Sequence, residues 1–372
     1  MKGKESRRKN RLARWLCVSL LLHSPFFLSA PVHAQIAGMN TLTFLDLGSG
    51  ARAAGLGFDY LVLPEGDITE AMDNPSLLCL WDSDAEKYFH GGRRASLTYT
   101  SLFDGGAMGA LAYSTDFSGR LSPMLFAFRF NNYGSFAGYD EEEVSTGTFH
   151  AADYALSVGY SIPIGRGLGT GRHLNFGAMM TPVLSQYEHY KAFALSFDLM
   201  LSYMDLPKGF AATLAARNIG AQISTFDGTG ETLPFELSAE ASYKLSKAPF
   251  RLFFGLNELQ RWDLRYEDPR YPATTTDPFT GEVSKESWFE GTLDNLMRHT
   301  QIGLELNIGK ALFARVGYNH RRSREMRGVD AFNLSGFSFG IGIHTRRFDF
   351  AYARRNYHLS QAPNFFTLSF KL

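Results

Sequence analysis

The sequence predicts an all-β fold: a closed antiparallel transmembrane β-barrel of about 14 strands preceded by an N-terminal plug segment. Three observations predict it. Apolar and polar residues alternate with period two over segments near ten residues or longer, the length that crosses a bilayer as a tilted strand. The segments follow one another as hairpins, with no regular helix between them. The last residues, Phe366, Leu368, Phe370 and Leu372 alternating with Thr367, Ser369 and Lys371, form a strand that can close on the first.

The chain opens on a basic stretch, Lys2, Lys4, Arg7, Arg8, Lys9, Arg11 and Arg14 against Glu5 alone. An apolar run from Trp15 to Ala30 follows, and Val32-His33-Ala34 ends in small residues before Gln35. This pattern predicts a secretory signal peptide over 1–34, cut between Ala34 and Gln35. His23, Ser24 and Pro25 interrupt its apolar core, which suits a signal better than a membrane helix. Its removal leaves 30 Lys+Arg against 36 Asp+Glu, an acidic balance that argues against nucleic-acid binding. Of the two cysteines, Cys17 leaves with the signal and Cys79 stands alone, so no intrachain disulfide is expected. With Leu78 and Leu80 beside it, Cys79 reads as a small buried hydrophobe.

Residues 35–93, rich in Gly, Ala, Leu and Asp, are expected to form a lumenal plug or periplasmic cap, with a small globular subdomain as the alternative. The barrel is expected over 94–372. Its strands are placed near 94–102, 107–117, 123–133, 148–161, 173–187, 191–204, 209–219, 235–245, 249–259, 299–309, 312–322, 336–346, 347–358 and 364–372. The alternation is plainest in 235–245, where Phe235, Leu237, Ala239, Ala241, Tyr243 and Leu245 interleave with Glu236, Ser238, Glu240, Ser242 and Lys244. Connections after even-numbered strands are mostly tight (205–208, 246–248, 310–311), and those after odd-numbered strands are long (134–147, 220–234, 260–298, 323–335). Short periplasmic turns and long external loops follow that rule, which puts both ends of the barrel in the periplasm and the chain in the outer membrane. The Gly-rich connection 162–172 departs from it.

No catalytic or metal constellation stands out. His150, His173, His189, His299, His320, His344 and His358 lie in different segments without ligand spacing, and no serine sits in a GxSxG elbow. The stretch GRGLGTG at 165–171 lacks the Lys-Ser/Thr of a phosphate loop. No enzyme and no cofactor are expected. Asp198, Arg217, Glu236, Glu240 and Glu305 fall on the lumenal phase, where they could form a buried polar network or line a substrate path. The acidic run Asp140 to Glu143 reads as a solvated external loop, with divalent-cation bridging to lipid head groups as the alternative. The long connection 260–298 gathers Trp262, Tyr266, Tyr271, Phe279, Trp288 and Phe289. These aromatics suit either a partner-contact surface or packing onto the barrel mouth, and KESWFEGTLDNLMRH within the same connection could make an amphipathic helical turn.

The segment NTLTFLDLGSGARAAGLG (40–57), followed by GDITEAMDNPSLL (66–78), resembles the start of PorV/PorQ-type outer-membrane proteins of the type IX secretion system. These in turn resemble the FadL-like long-chain fatty-acid transporters, which place an Asn-Pro motif before their first strand; Asn74 and Pro75 match it. NELQRWDLRYEDP (257–269), LMRHTQIGLEL (296–306) and RRFDFAYARRNYH (346–358) look most like the PorQ type. Two departures stand out: the motif continues with Ser76, and the chain ends in Leu372 where barrel-assembly signals usually end in Phe or Trp. The resemblance implies a fourteen-stranded barrel with a non-enzymatic role in Bacteroidetes. It would anchor a PorZ-like surface protein, alongside PorU- and PorV-like components, in the complex that attaches cargo to lipopolysaccharide. A FadL-like transporter of hydrophobic molecules is the alternative, and an outer-membrane hydrolase a third.

Overall fold

The computed structural model describes residues 40–63, 68–82, 87–90, 93–102, 105–115, 123–164, 171–265, 274–276, 283–285, 287–309, 311–326, 334–356 and 362–372. The proposed cleavage site at Ala34 and Gln35, with Tyr266, Tyr271 and Phe279, lies outside these residues. In chain order the strands are β1 (Cys79–Asp82), β2 (Lys87–His90), β3 (Arg94–Ser101), β4 (Ala107–Thr115), β5 (Met124–Tyr139), β6 (Ser145–Pro163) and β7 (Arg172–Tyr187). They continue as β8 (Tyr190–Asp205), β9 (Phe210–Ser224), β10 (Glu236–Lys244), β11 (Phe250–Leu256), β12 (Thr274–Thr276) and β13 (Val283–Lys285). The last five are β14 (Thr300–Ile308), β15 (Leu312–Asn319), β16 (Phe337–His344), β17 (Phe348–Arg355) and β18 (Asn364–Lys371).

Fourteen of these close into one antiparallel ring, and β1–β2 and β12–β13 are separate two-stranded ribbons. Closure is made by β18 on β3, from Asn364 opposite Ser101 to Lys371 opposite Arg94. Strand count and order are those the alternation predicts. The burial pattern gives the reason for closure. Along β9, Ala211, Thr213 and Ala215 are buried while Leu214 between them is 60% exposed. Along β16, Ser338 is buried and Phe339, Ile341 and Ile343 are exposed. Serines and threonines inside, leucines and phenylalanines outside, is the inverse of a soluble sheet and fits an acyl-chain environment. No helix among the described residues is long and apolar enough to cross a membrane, so crossing rests on the strands.

The ring is uneven in height. β5 to β9 run 15 to 19 residues, while the other barrel strands run 7 to 9. This corrects the expected loop at 134–147. The β5–β6 ladder continues through a register shift between Asn132 and Ser135, and pairing extends to Tyr139 opposite Ser145. The acidic run is the tip of that hairpin, with the Asp140 side chain accepting from the Glu142 and Val144 N–H groups. The β7–β8 hairpin likewise closes tightly at Tyr187 opposite Tyr190.

Residues 40–63 and 68–78 lie within the ring and run along its length. Thr41 N–H donates to Thr232 O (3.0 Å) beside the long-loop end. At the other end the Cys79 thiol donates to Ser161 O at 3.6 Å. Between them come a 3-10 turn (Thr43–Asp46), helix α1 (Ala51–Leu56), helix α2 (Ile68–Asp73) and a second 3-10 turn (Pro75–Leu78). Glycines in the wall let this segment approach. A Cβ on Gly317 would sit 1.9 Å from Leu56 O, and one on Gly177 would sit 2.2 Å from Ser76 N. Backbone here touches backbone, so neither side can yield.

If the outward face meets lipid, Leu214→Arg places a charge in the apolar belt and should destabilise the folded barrel by about 2–4 kcal/mol at mid-bilayer depth. Urea unfolding in phospholipid vesicles measures this, and an unchanged midpoint would contradict the assignment of that face.

Candidate functional site

Two regions gather polar or aromatic side chains beyond what the wall requires: the lumen around residues 40–78, and the surface formed by the β11–β14 connection.

The five lumenal candidates are all buried, but they fall into separate groups. Arg217 and Glu236 are register partners on β9 and β10 and form an ion pair at 3.2 Å. The Arg217 guanidinium also donates to Leu45 O and lies 5.6 Å from the Tyr60 ring centre. Asp198 accepts from the Asn218 N–H at 2.7 Å, at a bulge where Asn218 takes a positive φ of 55°. Glu240 accepts from the Val62 N–H at 3.2 Å. Glu305 stands apart on β14, held by Arg52 of α1 (2.9 and 2.7 Å) and by Arg315 of β15 (2.8 Å). All five contact residues 40–63 directly or through a partner that does, Asp198 by way of Asn218, whose amide donates to Asp46 Oδ1 at 2.8 Å, so the network ties the inner segment to the wall.

Sequence reasoning missed several members of the same kind. Arg355 of β17 donates to Asp59 Oδ1 (2.8 Å), Gly57 O (3.0 Å) and Phe58 O (3.2 Å), capping the chain as it leaves α1. Arg129 of β5 lies 3.8 Å from Asp73, which accepts from the Ser49 N–H and hydroxyl. Arg129, Arg315 and Arg355 share the lumenal phase of their strands, and that phase was the signal available. Asn74 and Pro75 sit at the second 3-10 turn. The Asn74 amide donates to Leu61 O (3.2 Å) and Thr213 Oγ1 (3.3 Å), and accepts from the Ser76 hydroxyl at 2.5 Å. Asn175 of β7 donates to Ser76 O and Cys79 O, fixing the same turn from the wall. Ser76, a departure from the commoner motif, is therefore built into these contacts.

The long β11–β14 connection carries helix α3 (Trp288–Arg298) and, before it, the β12–β13 ribbon. The Ser287 N–H donates to Glu290 Oε2 at 3.3 Å at the start of α3. Gly291 and Asn295 face the protein, where the Asn295 amide donates to Trp262 O and accepts from the Leu264 N–H. Asp294 receives Arg298 Nε (2.8 Å), Arg324 Nε (3.0 Å) and His320 Nε2 (3.3 Å), the last two from helix α4 (His320–Glu325). The opposite face carries Trp288 (82% exposed), Phe289 (65%), Leu293 and Leu296. Trp262, 63% exposed, stacks on the buried His299 ring at 5.6 Å. The helix thus packs on the protein by its polar side and presents its apolar side outward.

No protein-family model matches the chain, and no curated protein sequence matches it. Among solved structures it is similar to the TodX monoaromatic hydrocarbon channel deltaS2 mutant (TM-score 0.46, 12% identity, 87% of this chain and 98% of that one). It is similar also to a Pseudomonas aeruginosa FadL homologue (0.41, 9%, 87% and 98%). CdiB from Acinetobacter baumannii scores 0.35 at 11% identity over 76% of this chain, which spans 60% of the length of CdiB. All three likenesses are loose, each with a TM-score below 0.5.

Glu305→Gln leaves two lumenal arginines without their shared counter-charge and should cost about 3–5 kcal/mol of stability in urea unfolding. A loss under about 1 kcal/mol, the worth of an exposed pair, would contradict the pairing. On α3, burial pushes the Asp294 carboxyl up, but hydrogen bonds and charge from Arg298, with His320 and Arg324, hold it below its ordinary 3.8. The hold on α3 is then fully present above the ordinary carboxylate range and is lost as pH falls through the lowered folded value. Fluorescence of Trp262 and Trp288 against pH should show a midpoint below 3.8, and a midpoint at or above it would refute this.

Proposed function

We propose that the chain is a non-enzymatic outer-membrane scaffold that docks a cell-surface protein on its external face. The observation that carries the reading is α3. An eleven-residue helix, pinned by its polar side, turns two aromatic and two leucine side chains outward on the long-loop side of the ring. Exposed aromatic clusters of this kind are common anchors of protein contact. The tall β5–β9 wall adds extramembrane surface at the same end, and the contacts of residues 40–63 and 68–78 with the inside of the wall suit a rigid platform.

The sequence resemblance makes the reading more specific. As a PorQ-type barrel, the chain would hold a PorZ-like surface protein, with PorU- and PorV-like components, in the complex that links cargo to lipopolysaccharide. The competing reading is a FadL-like carrier of hydrophobic molecules, which requires residues 40–63 and 68–78 to move off the wall contacts described above.

The test is photo-crosslinking in cells from a reactive side chain placed at position 288. The scaffold reading expects capture of a PorZ-like surface protein, and expects the Trp288→Glu/Phe289→Glu variant to fold as a barrel yet release that protein from the surface. Capture of no protein, together with passage of a hydrophobic solute through the purified barrel in vesicles, would overturn it in favour of the carrier.

A further inference from the structure

On the outside of the wall, at its short-turn end, the apolar belt stops on arginines. Phe348 of β17, Phe370 of β18 and Ala95 of β3 are register partners and form one lipid-facing row across the closing seam. Phe348 and Phe370 are exposed, as side chains against acyl tails would be. One step further along the same register come Arg346, Leu372 and Arg93. The ladder continues to that level, since the Lys371 N–H donates to Arg347 O (3.0 Å) and the Leu372 N–H donates to Arg93 O (2.9 Å). Arg346 and Arg93 therefore flank Leu372 on the lipid side, two strand spacings or about 10 Å apart.

The turn that carries Arg346 and Arg347 is held closed. The Thr345 N–H donates to Phe348 O at 2.9 Å, and the Thr345 hydroxyl accepts from the Phe348 N–H at 3.0 Å. Arg93, Arg346 and Arg347 are all exposed. None of the three side chains forms an ion pair or hydrogen bond among the described residues. Asp349, close by in sequence, takes the lumenal phase instead, where the His344 ring engages it.

The height of the wall sets the depth of these arginines. β3, β16, β17 and β18 each run eight residues. At about 3.3 Å per residue and a tilt near 40°, such a strand spans about 20 Å, less than the apolar band of about 25 Å usual in membrane barrels. A bilayer meets a short wall by thinning, and flanking side chains reach to its interface. The phosphate level is thereby drawn onto this rim. Arginine stems can lie along Leu372 and Phe370 while their heads stay among the headgroups.

We propose that Arg93, Arg346 and Arg347 form a binding site for the headgroup of an anionic phospholipid in the leaflet on the short-turn side. The lipid-facing belt is already an interface with acyl chains, and the arginine row continues that interface to the phosphates. A guanidinium matches phosphate oxygens in paired hydrogen bonds. A phosphate here would also relieve the repulsion between two adjacent arginines on one tight turn. Short turns face the periplasm in such barrels, so the lipid would belong to the periplasmic leaflet, independently of any partner on the outer face.

The experiment folds the full chain in nanodiscs of phosphatidylcholine with a minor share of phosphatidylglycerol, and counts the lipids that stay bound by native mass spectrometry. The parent should retain phosphatidylglycerol above its share of the disc, and added sodium chloride should weaken that preference. Arg93→Gln/Arg346→Gln/Arg347→Gln should fold as a barrel and lower the preference about fivefold or more. Lys191→Gln/Arg354→Gln, which removes two exposed cations at the long-loop end, should keep it. Inorganic phosphate should not displace the lipid, and displacement would assign the arginines to a free anion instead. Retention in mere proportion to the disc, an unchanged preference in the triple variant, or its loss in the long-loop variant overturns the proposal.

Discussion

Everything in this structure depends on the rule that a backbone crossing hydrocarbon must satisfy its own hydrogen bonds. Strands obey it only when the sheet has no edge, so the last strand must find the first. The β18–β3 ladder does this over eight register pairs. Closure with fourteen strands has a second consequence. The ring is wider than those that side chains alone can fill, so something must occupy it or it stands open. Residues 40–63 and 68–78 lie in that space, and the wall accommodates them with glycines where backbone meets backbone and with charges where polar groups meet.

The lumenal charges are better understood as attachment than as chemistry. A buried ion pair adds little net stability compared with apolar packing, but it fixes register, and losing one member is severe. Arg52–Glu305–Arg315, Arg355–Asp59 and Arg217–Glu236 reach the inner segment from different strands of the ring and bind residues 40–63 or abut them. Such an arrangement holds the inner segment in one pose. On the outer side the face of α3 departs from that economy, with apolar side chains turned outward. That aromatic surface is a place where the molecule is not complete in itself.

Much of the barrel was legible in the sequence because alternation with period two is a direct imprint of a wall between two solvents. Phe235 to Leu245 or Phe337 to His344 can be read by eye, and their neighbours in the ring follow. The same signal failed at 134–147, where Gly134, Gly138 and Gly147 look like loop residues. Their strand continues outside the membrane, where no lipid enforces apolar residues on one face, and a register shift absorbs the extra residues. The lumenal phase also identified Glu305 and Arg217 as inward. It could not pair Glu305 with Arg52, because that contact spans 253 positions and depends on how the inner segment threads the ring. The outward turn of Trp288 and Phe289 was likewise hidden. Helical spacing shows that α3 has two faces but not which one the protein covers, and Asn295 and Asp294 settle it through partners distant in sequence.

The most direct test of this account is the seam itself. Leu97 and Leu368 are register partners on β3 and β18, both on the lipid side of the wall and far apart in the chain. Cysteines at these two positions, in a chain whose own cysteines are replaced by serine, should be joined in membranes by a short thiol-reactive cross-linker. The joined product should form in high yield and keep a distinct mobility on a denaturing gel. Absence of that product from membrane-embedded, protease-resistant protein, with ready joining of Leu97→Cys to a neighbouring molecule instead, would mean that the ring is open.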